Sequence, residues 1–123
     1  MTFQMIACVM TLAGSVLGLR FIFAGASILE EWAIEPTQGA LIVCRRLGAL
    51  YLGLAGAFFL GRTAEPSELR TALCLGIGAA SAALAALGIF ELVVGRVQRR
   101  VLISVTAEVL LAGALVWVAL SGA

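Results

Sequence analysis

The chain has 123 residues, 63% of them apolar and only 12% charged, about half the ~25% charged content of a soluble domain. It contains no Lys, Asp, Asn or His, so every cation is Arg and every anion Glu; this excludes His-ligated haem, His metal sites and a His general base. A net charge of +1 with no basic block leaves no nucleic-acid footprint, and so apolar a chain of one-domain size belongs in a lipid bilayer.

Four continuous apolar stretches predict four transmembrane helices in a single domain spanning residues 1–123. The first covers residues 5–29. It holds Ala24-Gly25-Ala26, which mimics a signal-cleavage site, but Arg20 interrupts the apolar run and no cation precedes it, so a span is expected. A ten-residue connector, 30–39, follows; Pro36 bars helical continuation and Trp32 suits the headgroup region. The second span covers 41–61, and the connector after it carries Thr63 and Ser67 as candidate caps. The third covers 69–94, the short link Gly95-Arg96-Val97-Gln98-Arg99 follows, and the fourth covers 100–121 with Trp117 near its far end. Each stretch exceeds the ~20 residues a helix needs to cross the hydrocarbon, and none alternates as a barrel strand would. Short links make neighbours antiparallel, so the expected fold is an all-α, up-down-up-down four-helix bundle.

Arginine placement predicts orientation. Arg45, Arg46, Arg96, Arg99 and Arg100 flank connectors one and three, whereas Arg62 and Arg70 flank connector two. Cytoplasmic loops collect the excess Arg, which puts both termini on the non-cytoplasmic side. In the second span Ala49, Gly53, Ala57 and Gly61 recur at four-residue spacing, a small-residue stripe for close helix packing, within the bundle or against a homo-oligomer or membrane-protein partner.

Charges inside spans are the main candidate site. With the first helix running to residue 29 and the fourth starting at 100, Arg20 and Glu108 fall at matching depths, ~12 to 13 Å from the same end, and an intramembrane ion pair is expected between them. Arg45 or Arg46 is expected to reach Glu91, giving a second polar cluster nearer that surface. These charges read either as register-locking ion pairs with snorkelling arginines, or as a half-open cavity for an anion, a quinone or a lipid headgroup, or as a protonatable Glu108 coupled to transport. Cys8, Cys44 and Cys74 form no CxxC; they read as inert thiols, with a Cys8–Cys74 disulfide as the alternative. No catalytic residue, metal site or cofactor is indicated, because no spacing unites Glu, Arg, Ser and Tyr51 into acid, base and nucleophile.

The segment Arg46-Leu47-Gly48-Ala49-Leu50-Tyr51-Leu52-Gly53, with Pro36 ahead of it and Ala107-Glu108-Val109-Leu110 in the last span, resembles the small bacterial DoxX-like membrane proteins. The resemblance implies a compact four-helix inner-membrane protein with accessory roles, and it supplies no catalytic residue to carry over. The expected function is that of a non-enzymatic accessory or scaffold protein of a membrane complex. A small oligomeric transporter or channel using Glu108 and Arg20 is the alternative.

Overall fold

The structure, a computed structural model, describes residues 2–122. Among them are five helices and no strand: α1 (Phe3–Phe23), α2 (Gly25–Glu31), α3 (Gln38–Leu60), α4 (Glu68–Val94) and α5 (Val101–Ser121). The four long helices have 21, 23, 27 and 21 residues and each holds a long apolar window, so at ~1.5 Å per residue each covers the ~30 Å of hydrocarbon. The chain is a multi-pass membrane protein with four spans.

Helix ends have local causes. Thr2, Thr37 and Ser67 adopt extended backbone, and their hydroxyls accept hydrogen bonds from the N–H groups of Met5, Ala40 and Arg70. Each cap satisfies a donor that the first turn of a helix leaves without a partner. At the end of α4, Gly95 takes φ 88°, and the N–H groups of Gly95 and Arg96 return to the Glu91 carbonyl.

The first span is shorter than the sequence predicts. Ala24, at φ −132° and ψ 37°, halts α1 after Phe23, and α2 sets off as a separate short helix. Gly25 makes this possible: a methyl group there would lie 3.2 Å from Cys44 Cβ, so α2 is pressed onto α3. A left-handed residue, Ala33 at φ 56°, follows α2, and the Ile34 N–H returns to the Leu29 carbonyl at 2.8 Å. The turn carries Trp32 across to α4, where its ring edge faces Gly88 beside Val105.

The spans pack as two antiparallel hairpins. α1 runs along α3 and α4 along α5, while the hairpins meet through a thinner seam of α1 against α5. Register is set by backbone approach: a methyl group at Gly48 would lie 2.6 Å from the Gly18 carbonyl oxygen, and one at Gly14 would lie 3.1 Å from Ala55 Cβ. Thr11 adds an interhelical hydrogen bond to the Ala55 carbonyl at 3.3 Å. Buried positions recur at spacings of four, seven and three residues, as in Cys44, Gly48, Ala55 and Phe58 on α3 and Val101, Val105, Ala112 and Leu115 on α5. The half-buried Tyr51 and Glu108 fill the gaps in these series, so each occupies a seam position of the kind that left-handed bundles bury.

All four spans meet at the end that carries both termini, where Phe3, Ile6, Ala7, Phe58, Cys74, Leu115 and Val118 form the core. Outward lie Leu12, Phe23, Leu50, Leu60, Ile103, Leu110 and Leu120, a surface that suits acyl chains. The stripe expected to pack, Ala49, Gly53, Ala57 and Gly61, is not the face the bundle uses. Ala49, Gly53 and Ala57 are exposed, and Gly61 caps the helix end. The adjoining face wins because it alone sets a glycine, Gly48, opposite a glycine of α1, which brings two backbones into contact.

Gly48→Ala is therefore expected to destabilise the bundle by ~1 to 3 kcal/mol through overpacking against backbone. Gly53→Ala, with nothing within 4 Å of the added methyl, should leave stability unchanged or raise it by up to ~1 kcal/mol through helix propensity. Unfolding of both variants in detergent micelles checks the contrast; equal losses would contradict the observed register.

Candidate functional site

Charged side chains gather at both ends of the bundle. At the α2 end, Arg20 in the last turn of α1 donates from Nη2 to Glu31 Oε1 at 3.0 Å, and Arg100 Nη2 approaches the same oxygen at 3.8 Å. One carboxylate thus ties the ends of α1 and α2 to the start of α5.

The expected Arg20–Glu108 ion pair is not formed. Because α1 stops at Phe23, Arg20 lies one turn, ~5 Å, from its helix end, whereas Glu108 lies ~10 Å inside α5. The turn into α2 also brings Glu31 back onto Arg20. Glu108 Oε1 instead accepts a hydrogen bond from Ser104 Oγ, one turn earlier on the same helix, at 3.3 Å. Its Oε2 is buried and has no hydrogen-bond partner among the described residues. Tyr51 of α3 lies within electrostatic range of this carboxyl, its ring stacked on Phe21 with centroids 5.5 Å apart and planes 7° off parallel.

The second expected cluster also resolves differently. Glu91 pairs with Arg96 at 3.4 Å, not with Arg45 or Arg46. The left-handed turn at Gly95 folds Arg96 back over the last turn of α4, and α3 and α4 hardly touch, so the α3 arginines have no route to Glu91. Arg45 and Arg46 both point outward, two turns into α3, where a long side chain reaches back along the helix to the headgroups.

At the opposite end the structure shows a pair of arginines that sequence reasoning used only for orientation. Arg70 is 8% exposed, its guanidinium 4.5 Å over the Phe3 ring and its Nη1 donating to the Ala64 carbonyl at 2.9 Å. Arg62 repeats the pattern, 4.2 Å over the Phe59 ring with Nη1 donating to the Phe59 carbonyl at 2.6 Å. Both line a cleft of about 200 Å³ together with Thr2, Phe3, Gln4, Thr63 and Ala64. The available signal was spacing: Arg70 sits four residues before Cys74 on the buried face of α4.

The three thiols are free; Cys44 and Cys74 are buried and Cys8 faces outward, so the Cys8–Cys74 disulfide is not formed. Among the described residues no three Cys or Glu side chains come together. In comparisons with known proteins, the chain matches no family model, no curated protein and no solved structure.

With Arg20 committed to Glu31 and Glu108 to Ser104, the variants Arg20→Gln and Glu108→Gln share no partner. Their effects on detergent stability should add within ~0.5 kcal/mol. Arg20→Gln and Glu31→Gln, by contrast, should show a coupling of up to ~1 kcal/mol, modest because the guanidinium is partly solvent-exposed. Two double-mutant cycles measure both; coupling between Arg20 and Glu108 in place of Arg20 and Glu31 would reverse the assignment.

Proposed function

We propose that this four-span protein is a non-enzymatic accessory or scaffold subunit of a membrane complex, with α3 as its docking helix. The observation that supports this reading is the outward stripe of α3. Gly14, Gly18 and Gly48 are consumed by packing inside the hairpin, yet a second small-residue series, Ala49, Gly53 and Ala57, faces away from it. A groove of about 620 Å³ runs along this face between Arg46, Leu50 and Leu54, with Ala49 and Gly53 as its floor. In lipid, where no hydrophobic drive separates helix from acyl chain, a small-residue surface is the one a partner helix approaches closely enough for van der Waals contact.

In this reading the α2 end, which carries six of the eight arginines, faces the cytoplasm of a bacterial inner membrane, and both termini lie outside. The likeness to DoxX-like proteins fits the same picture: of the residues that carry it, Gly48 and Tyr51 serve the hairpin seam and Arg46 and Gly53 line the open groove. A second reading, a small proton or ion transporter, is favoured by the Glu108 carboxyl on the interior seam near Tyr51. Proteoliposome flux that Glu108→Gln abolishes would select it.

The scaffold reading is tested by size. Extracted in mild detergent, the wild-type chain should migrate in a complex with another membrane subunit, and Gly53→Leu with Ala57→Leu should release it as a free chain of unchanged stability. Gly76→Leu on the exposed face of α4, also open within 4 Å, should leave the complex intact. A wild-type chain that migrates free, or a double variant that stays bound, rejects this role for α3.

A further inference from the structure

Beyond the docking role of α3, the cleft at the termini end has the composition of an anion site. Among the described residues its lining holds two guanidinium groups, Arg62 and Arg70, the hydroxyl-bearing Thr2 and Thr63, the amide of Gln4, and no carboxylate. Glu65 and Glu68 lie in or beside the same connector, yet among the described residues neither pairs with either arginine. Burying a cation such as Arg70 without a counter-charge is costly, and a ring face with one carbonyl offsets only part of the cost.

Geometry points the same way. Each arginine has its face against a phenylalanine ring and one Nη1 fixed on a backbone carbonyl. A guanidinium has five N–H donors in one plane, so each keeps donors on its remaining edges, already immobilised and therefore cheap in entropy to use. The start of α1 contributes Thr2, Phe3 and Gln4, and its first turn holds no acidic residue to neutralise the partial positive charge of the helix N-terminus. At about 200 Å³ the cleft is smaller than the ~300 to 1,000 Å³ of a drug-sized pocket and suits one compact charged group. It lies where α1 and α4 begin and α3 ends, at the boundary between hydrocarbon and water.

We propose that the cleft between Arg62 and Arg70 binds a phosphate-type oxyanion, either the phosphate of an anionic phospholipid headgroup or free inorganic phosphate. Two forks stacked on Phe59 and Phe3 grip the oxygens, and Thr2, Thr63 and Gln4 supply neutral hydrogen bonds.

The test uses the full chain and two probes, inorganic phosphate in neutral detergent at constant ionic strength and nanodiscs of phosphatidylglycerol against phosphatidylcholine. Either probe should raise Tm; Arg62→Gln should weaken the response about tenfold or more, as loss of a charge-assisted fork does, whereas Arg100→Gln at the other end should keep it. A response to phosphate assigns a soluble oxyanion as ligand, and a response to phosphatidylglycerol alone assigns the headgroup. Should Arg62→Gln fail to fold, arginine-selective labelling of the wild type serves in its place, with the responding probe protecting Arg62, the more exposed of the two, and sparing Arg99 and Arg100. No response to either probe, a response that survives Arg62→Gln, or protection that is equal at both ends overturns the proposal.

Discussion

Backbone contact between Gly18 and Gly48 is the constraint from which the rest of the structure follows. A methyl group on either would come within 3 Å of the other's carbonyl oxygen, so α1 and α3 are locked in register at that level. This lock determines which residues of α3 face inward: Cys44, Ala55 and Phe58 become buried, Tyr51 joins the seam, and Arg46 with Gly53 is turned out. It also places the end of α1 so close to α3 that any side chain larger than that of Gly25 would crowd Cys44 where α2 begins. Since lipid tails are as apolar as leucine, helices gain little by hiding oil from one another, and close van der Waals approach with a few interhelical hydrogen bonds must serve instead.

Apart from Arg100, which approaches Glu31 at 3.8 Å from the start of α5, the charged groups take partners close along the chain. Arg20 takes Glu31, Glu91 takes Arg96, and Glu108 takes Ser104, each a partner within eleven residues. A turn that brings a partner back adds no further ordering of distant helices, whereas a cross-bundle pair between α1 and α5 would need the thin inter-hairpin seam to hold both side chains in one geometry. Glu108 is the exception in kind, a carboxyl on an interior seam whose Oε1 accepts from Ser104 while its Oε2 has no partner among the described residues.

The sequence was informative wherever hydropathy and caps decide. Span number, the antiparallel order and the second and third connectors were legible, because a 20-residue apolar run has one stable fate in a bilayer and because Ser67 and Gly95 mark boundaries chemically. The break at Ala24 was not legible: alanine is a helix former, and what stops α1 there is the fit of Gly25 against Cys44, a tertiary contact. That one missed boundary shifted Arg20 by two turns and produced the wrong ion pair. The choice between the Gly48 and Gly53 faces was equally hidden, since small residues line both and only the partner helix distinguishes them.

The two ends of the bundle solve the same problem with different chemistry. At the α2 end Glu31 gathers two arginines, and Trp32 closes the gap between hairpins by lying against Gly88. At the termini end the bridging element is Arg70 itself. Its backbone belongs to α4 and its guanidinium covers Phe3 of α1, so it joins the two hairpins directly above the core formed by Phe3, Phe58, Cys74 and Leu115. A cation–π contact in a desolvated setting contributes up to ~2 kcal/mol, comparable with a buried aliphatic side chain. Arg70 therefore adds a second link between the hairpins to the one that the apolar core makes at this end. Because a ring face rather than a carboxylate holds it, the link is made without neutralising the charge, and the cleft beside it stays electropositive.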